Sequence, residues 1–141
     1  MYDTPNTAKI LIVDDSEVGR NLLVSQATFL GMASVAVESG ALALEKLQSE
    51  EFDLILMDIF MPGLDGIETT AQIREYERNH NLIHTPIIAS TGGAEKQDCL
   101  NAGLDDYLRK PIMLEDLRRI LTRWLPARLP GVEKQANRKS M

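Results

Sequence analysis

The 141-residue chain is poor in several kinds of residue, and each shortage excludes something. A single cysteine, Cys99, rules out an internal disulfide and every multi-cysteine zinc site, which fits a reducing compartment. No apolar run approaches the roughly 18 residues of a membrane span, and the opening MYDTPNTAK has neither the basic nor the apolar region of a secretion signal. A cytoplasmic protein with no membrane association is expected. Basic residues are also in deficit: 15 Lys and Arg stand against 21 Asp and Glu. Four of those bases (Arg128, Lys134, Arg138, Lys139) and one acid (Glu133) fall in residues 126–141, leaving 11 bases and 20 acids, a net of −9, in residues 1–125. A body so acidic repels phosphate backbones, so no nucleic-acid partner is expected. Internal repeats and low-complexity stretches are missing too. What is present is 44% hydrophobic and 26% charged residues, enough to fill the core of one ordinary domain.

Two periodicities alternate along the chain. Short apolar runs occupy 9–13 (KILIV), 33–37 (ASVAV), 53–57 (DLILM), 86–90 (PIIAS) and 106–109 (DYLR). The first, third and fourth show little polar alternation, as strands covered on both faces do, whereas the second and fifth are more polar, as sheet edges are. Helical spacing fills the gaps. Ser16 caps a helix ending at Gly31, with Val18, Leu22, Phe29 and Leu30 as its expected inner face. A second helix over 40–50 presents Ala41, Leu44 and Leu47, and a third over 66–79 presents Ile67, Ala71 and Ile73. A short one over 94–102 closes at Gly103, and the last steps through Leu114, Leu117, Leu121 and Trp124. Five βα units imply right-handed crossovers and helices on both faces of a parallel sheet. The expected architecture is a flavodoxin-like doubly wound α/β domain, (βα)5, with strand order 2-1-3-4-5. Residues 7–125 form this domain, and 126–141 read as a flexible basic tail.

In such a sheet the ligand crevice lies beyond the carboxyl ends of the strands. Asp14 and Asp15 follow the first run, Asp58 the third, Ser90-Thr91-Gly92-Gly93 ends the fourth, and Lys110-Pro111 follows the fifth. Three carboxylates converging there repel one another, and one lysine does not offset them. A hard divalent cation does, and Mg²⁺ favours one or two carboxylates together with phosphate oxygens. The chemistry this suits is phosphoryl transfer to an aspartate, driven by positioning and charge neutralisation.

With Asp14-Asp15, MDIFMPGLDG, PIIAST and DDYLRKP in order, the chain resembles the receiver domain of two-component response regulators. The stretches EVGRNLL, GALALEKL and DDYLRKPIMLEDLRRILTRWL are most similar to receivers of hybrid sensor histidine kinases. The resemblance implies a phosphoacceptor module that takes a phosphoryl group from a phosphohistidine onto Asp58. It implies that Asp14, Asp15, Asp58 and the backbone carbonyl of Phe60 hold Mg²⁺, with Mn²⁺ as a substitute. Lys110 and Thr91 would bind the phosphoryl group, the Gly92 backbone would contact it, and Thr91 with Tyr107 would form the switch. A cis Lys110–Pro111 bond is implied as well. The implied partners are a histidine kinase or a histidine phosphotransfer protein, and a second copy of the chain through the strand 4 and strand 5 face. The resemblance further implies that the module is not an enzyme but a phosphoacceptor that catalyses its own phosphorylation and dephosphorylation.

Three positions depart from the family's pattern. Gly92 stands where alanine is usual, loosening the loop. Phe60 replaces a frequently polar residue, and its ring would shield an acyl phosphate from water. Gly19 lies inside the first helix, where glycine costs about 1 kcal/mol and invites fraying. Competing readings fail on residues. A haloacid dehalogenase-type phosphatase needs a second aspartate where Phe60 stands, and a dinucleotide enzyme needs G-x-G-x-x-G where DDSEVG stands. A receiver-shaped adaptor that is never phosphorylated is the remaining alternative, as is a receiver excised from a hybrid kinase. His80 and His84 read as solvated loop residues, Cys99 as a partly buried helix residue, and Arg118, Arg119 and Arg123 as a solvent face.

Overall fold

The structure is a computed structural model, and residues 7–125 are described; the expected basic tail over 126–141 lies outside them. Five strands, β1 (Lys9–Val13), β2 (Ala33–Val37), β3 (Leu54–Asp58), β4 (Ile87–Thr91) and β5 (Asp106–Arg109), alternate with five helices. These are α1 (Glu17–Phe29), α2 (Gly40–Ser49), α3 (Gly66–Asn79), α4 (Lys96–Asn101) and α5 (Leu114–Trp124). The strands form one parallel sheet in the order β2-β1-β3-β4-β5, as expected.

Alternation along the central strands divides the core in two. Ile10, Ile12, Leu54, Leu56 and Ile88 pack against Leu23 and Ala27 of α1 and Leu117, Ile120 and Leu121 of α5. Leu11, Val13, Ile55, Met57, Ile87 and Ala89 face Ala43 of α2, Ile73 of α3 and Cys99 of α4. Apolar side chains on both faces are what a sheet sandwiched by helices requires, since neither face meets water. Cys99 is wholly buried rather than partly so, and burial holds its thiol above the usual range.

Several expectations need correction. β3 and β4 begin and end one residue later than the runs suggest. Asp53 stops short of the ladder because its carboxylate and N–H both engage Lys9, accepting from the backbone nitrogen and donating to the carbonyl, each at 2.8 Å. At the far end Asp58 pairs with Ser90 and so belongs to the strand. The inner face of α1 is Leu23, Ala27 and Leu30; Val18 and Phe29 are 79% and 77% exposed, and Leu22 is exposed as well. In α2 the buried residues are Gly40 and Ala43, with Leu44 and Leu47 half-buried and Ala41 exposed. In α3 Ala71 faces solvent, whereas Thr69, Thr70 and Glu77 are buried beside Ile73.

Glu77 is tolerated inside because it is paired. Arg74 donates to Glu77 at 2.9 Å, to Asp105 at 2.7 Å and to the carbonyls of Gly103 and Thr85, while Asp105 also meets His84 Nε2 at 2.7 Å. His84 is therefore an anchor of the α3–β4 connection, not a free loop residue. Arg123, exposed as expected, also reaches Asp106 at 2.7 Å, where the Trp124 indole donates at 2.9 Å. Against the opposing effect of burial, these bonds hold the Asp106 carboxyl below its usual range and fasten the end of α5 to the start of β5.

The start of α3 fixes the distance between that helix and β3. Asp65 caps it through a reciprocal pair, its carboxylate accepting from Glu68 N–H at 2.8 Å and its own N–H donating to Glu68 Oε1 at 3.0 Å. The following residue, Gly66, lies so near the strand end that a Cβ there would stand 2.2 Å from the Asp58 carbonyl oxygen and 2.8 Å from Ile59 Cα. Because both are backbone atoms, Gly66→Ala is expected to destabilise the domain by about 1–3 kcal/mol in urea denaturation, the cost of forcing an extra carbon into a packed contact.

Candidate functional site

The carboxyl ends of β1, β3, β4 and β5 bring the predicted residues to one edge. Asp14 is buried, and its Oδ1 accepts from the Ser16 N–H at 2.9 Å, which turns the chain into α1. Arg20 donates to the Asp14 carbonyl at 2.9 Å, and the Asp14 N–H bonds the Val37 carbonyl at 3.1 Å. Gly19 corrects an expectation here. The helix runs unbroken through it, and a Cβ at this position would stand 2.8 Å from Asp14 Oδ2. The missing side chain makes room for the carboxylate.

Asp58 closes β3 and is buried; Asp15 is exposed. Carboxylate oxygens of Asp14, Asp15 and Asp58 all lie within 4.8 Å of one another. Lys110 reaches this group from the end of β5, its Nζ 3.2 Å from Asp58 Oδ1 and 3.3 Å from Asp14 Oδ2. The Lys110–Pro111 bond is cis, as the resemblance implied. Charges behave as such crowding demands. Burial, helped by the negative charge of Asp14 and a hydrogen bond with Asp15, pushes Asp58 up to about 6 against the pull of Lys110. Burial works against the ammonium of Lys110, yet Asp58 and Asp14 hold it above its usual range. Three hard oxygen donors at this spacing, with one cation between two of them, fit a divalent metal such as Mg²⁺.

Thr91 ends β4 and is buried. Its Oγ1 accepts from the N–H groups of Gly93 and Ala94 at 3.2 and 3.1 Å. This turn accounts for the late start of α4, which spans Lys96–Asn101 rather than 94–102. Tyr107 is half-buried, packs against the α3–α4 side of the core, and donates its hydroxyl to the Ala94 carbonyl at 2.8 Å. Ala94 thus joins the two expected switch residues, a role no sequence signal marked. Gly92 is exposed, and a Cβ there would meet only Lys110 Cβ, at 4.0 Å. Phe60 is 63% exposed, and a Cβ on Gly93 would stand 3.5 Å from its ring. The ring therefore lies beside the β4–α4 loop. Gly66 and Gly19 went unrecognised as shapers of the site; the signal for both was a glycine at a helical position that needs none.

The response regulator receiver domain family model matches residues 10–122. The chain is 40% identical over 132 residues to the sensor protein GacS of Pseudomonas syringae pv. syringae, covering 90% of this chain and 15% of that protein. It is similar in structure to the receiver domain of sensor histidine kinase PA1611 from Pseudomonas aeruginosa, described with magnesium in its active-site cleft (TM-score 0.75, 36% identity, 85% of this chain and 98% of that one). It is also similar to a chain of the co-crystal structure of Saccharomyces cerevisiae histidine phosphotransfer protein Ypd1 with the Ssk1 receiver domain (TM-score 0.80, 27% identity, 86% and 90% covered). The doubly wound sheet and its acidic edge are those of a phosphoacceptor signalling domain. The chain belongs to the response regulator receiver family, whose domains take a phosphoryl group in two-component phosphorelays, and hybrid signal transduction histidine kinases are among its relatives. It spans a small part of the curated relatives it matches.

The raised Asp58 has a measurable consequence. The folded protein holds this proton more tightly than the unfolded chain, so ionisation at neutral pH opposes folding. Without divalent metal, Asp58→Asn is expected to stabilise the domain by up to about 2 kcal/mol at pH 7. The gain should shrink as pH falls from about 6 through 4 and vanish only below the ordinary aspartate range, where the wild-type carboxyl is protonated in both states. Paired chemical denaturation curves across pH, in chelator, measure it.

Proposed function

We propose that Asp58 is the phosphoacceptor, taking its phosphoryl group from a phosphohistidine of a histidine kinase or histidine phosphotransfer protein. One observation carries the reading: three carboxylates within 4.8 Å share an edge with a lysine that touches two of them. A carboxylate oxygen of Asp58 forms the new P–O bond, the P–N bond breaks, and the imidazole nitrogen keeps the bonding pair. Asp14, Asp15, Asp58 and the Phe60 carbonyl would hold Mg²⁺, or Mn²⁺ in its place, and the ion supplies charge neutralisation for the phosphoryl oxygens. Lys110, freed from Asp58 when that carboxylate is esterified, pairs with a phosphoryl oxygen, and the Gly92 N–H contacts the group.

The same site runs the switch. Thr91 accepts two bonds through Oγ1 and retains its own proton, which it donates to the phosphoryl group. Drawing that hydroxyl inward pulls on 93–94, and with them on the carbonyl that Tyr107 holds. Contacts of β4, β5 and their helices change in consequence, which is the route of output to partner proteins, a second copy of the chain among them. Water attack on the acyl phosphate returns Asp58 to its resting state, so the domain carries out both its own phosphorylation and its own dephosphorylation. Attachment to a hybrid kinase in the cytoplasm suits these partners, and among the described residues no helix is long and apolar enough to cross a membrane.

Incubation with Mg²⁺ and phosphoramidate, followed by intact mass, is expected to add one phosphoryl group to the wild type and none to Asp58→Asn. A modification mapping to another residue overturns the assignment, and none with any donor leaves the adaptor reading. Phe60→Gln is expected to shorten the lifetime of the phosphorylated form several-fold, followed by release of inorganic phosphate. An unchanged or longer lifetime would show that the ring, lying beside Gly93, does not screen the acyl phosphate.

A further inference from the structure

Strand β5 lies at an edge of the sheet, and its end carries Tyr107 and leads into Lys110. Between these two stands Arg109, exposed, with its backbone opposite Thr91 in the ladder. Strand alternation places Arg109 and Tyr107 on one face, and the guanidinium carbon stands 5.9 Å from the centre of the Tyr107 ring. A cation at that distance over an aromatic face is drawn to it. Arg74, Arg118, Arg119 and Arg123 each meet a carboxylate, whereas Arg109 forms no ion pair among the described residues and has the ring instead. The ring is thus held at two points, because its hydroxyl donates to the Ala94 carbonyl at 2.8 Å. The Ala94 N–H is held in turn by Thr91 Oγ1 at 3.1 Å. Contacts therefore run from Thr91 through Ala94 and Tyr107 to Arg109, a residue that no sequence motif marked.

We propose that Arg109 is a positioning residue of the switch: its guanidinium keeps the Tyr107 ring against Ala94 and so favours the arrangement seen here over the phosphorylated one. This rests on the reading of Thr91 and Tyr107 given above. Here the Thr91 hydroxyl serves its own loop, accepting from Gly93 and Ala94, whereas the phosphorylated arrangement needs it at the phosphoryl group. When it moves, the Ala94 carbonyl moves with it, and the ring bonded to that carbonyl must slide from under the guanidinium. A contact made in one arrangement and lost in the other shifts their balance by its own worth. For an exposed cation on an aromatic ring that is about two- to fivefold. Arginine suits the task better than lysine, because a planar guanidinium stacks on a ring while a compact ammonium stays hydrated. Arg109 takes no direct part in the chemistry. Its side chain lies on the Tyr107 face, and it is the next residue, Lys110, that reaches Asp14 and Asp58.

The test uses the full chain as wild type, Arg109→Gln, Arg109→Lys, Tyr107→Leu and the Arg109→Gln, Tyr107→Leu double variant. Two quantities are read in Mg²⁺: the rate of phosphorylation by phosphoramidate, and the beryllofluoride concentration that half-saturates the site by fluorine NMR. Arg109→Gln is expected to raise the rate and lower the half-saturating concentration, each about two- to fivefold. Arg109→Lys should fall between it and the wild type. Tyr107→Leu should shift both quantities by itself, and adding Arg109→Gln to it should change neither further, because the two residues act through one contact. A slower reaction in Arg109→Gln overturns the proposal, since it assigns the arginine to attraction of the anionic donor. Unchanged values overturn it too, as do an Arg109→Lys chain that matches Arg109→Gln and an equal gain in the Tyr107→Leu background. A Tyr107→Leu chain that matches the wild type overturns the switch reading, and the proposal falls with it. A wild type that takes up neither phosphoryl group nor beryllofluoride overturns the phosphoacceptor reading beneath both.

Discussion

Crowded negative charge is the constraint around which this domain is arranged. Like charges within 4.8 Å are unfavourable in any fold, and here two of the three aspartates are buried besides. A protein built for stability alone would place an asparagine or an apolar residue at Asp58. The chain instead keeps the carboxylate, raises its proton affinity and answers it with a single lysine. Such a site is unsatisfied by construction. Whatever brings positive charge, or uses the carboxylate as a nucleophile, relieves it, so binding and chemistry draw on the same electrostatic strain.

Rigid surroundings are what keep the carboxylates from simply moving apart. Asp58 is held in the β3–β4 ladder opposite Ser90, and Asp14 is held through its backbone by Val37 and Arg20 and through its side chain by the Ser16 N–H. Two glycines complete the enclosure, Gly66 letting α3 close on the end of β3 and Gly19 letting α1 close on Asp14. The β4–α4 loop is built the other way. Its geometry hangs on the Thr91 hydroxyl and on the Tyr107 bond to Ala94, so a change at one hydroxyl has a path to a half-exposed ring. Stiff strands carrying the acids beside a lightly tethered loop carrying the hydroxyl is the division a switch needs.

Much of this was legible before any coordinates. Strand–helix alternation led to the doubly wound sheet and its strand order, and the polar residues following each apolar run led to Asp14, Asp15, Asp58, Thr91 and Lys110. Legibility failed where burial is decided by neighbours rather than by residue type. Val18, Leu22 and Phe29 are apolar at helical spacing and lie on the outer face of α1, while the less conspicuous Leu23 and Ala27 do the packing. Thr69, Thr70 and Glu77 are polar and buried, the last because Arg74 and the Thr85 N–H satisfy it.

The chain's own pattern therefore determined the kind of fold and which polar residues gather at the acidic edge, because both follow from local period and from which residues end each strand. Tertiary structure alone decided three further matters: how closely the carboxylates approach, that glycines at 19 and 66 are spaces rather than weaknesses, and that the buried Ser90 hydroxyl has no hydrogen-bond partner among the described residues. Each depends on atoms far apart in sequence meeting at distances of a few ångströms, and the order of residues along a strand or helix does not encode which surface will face them.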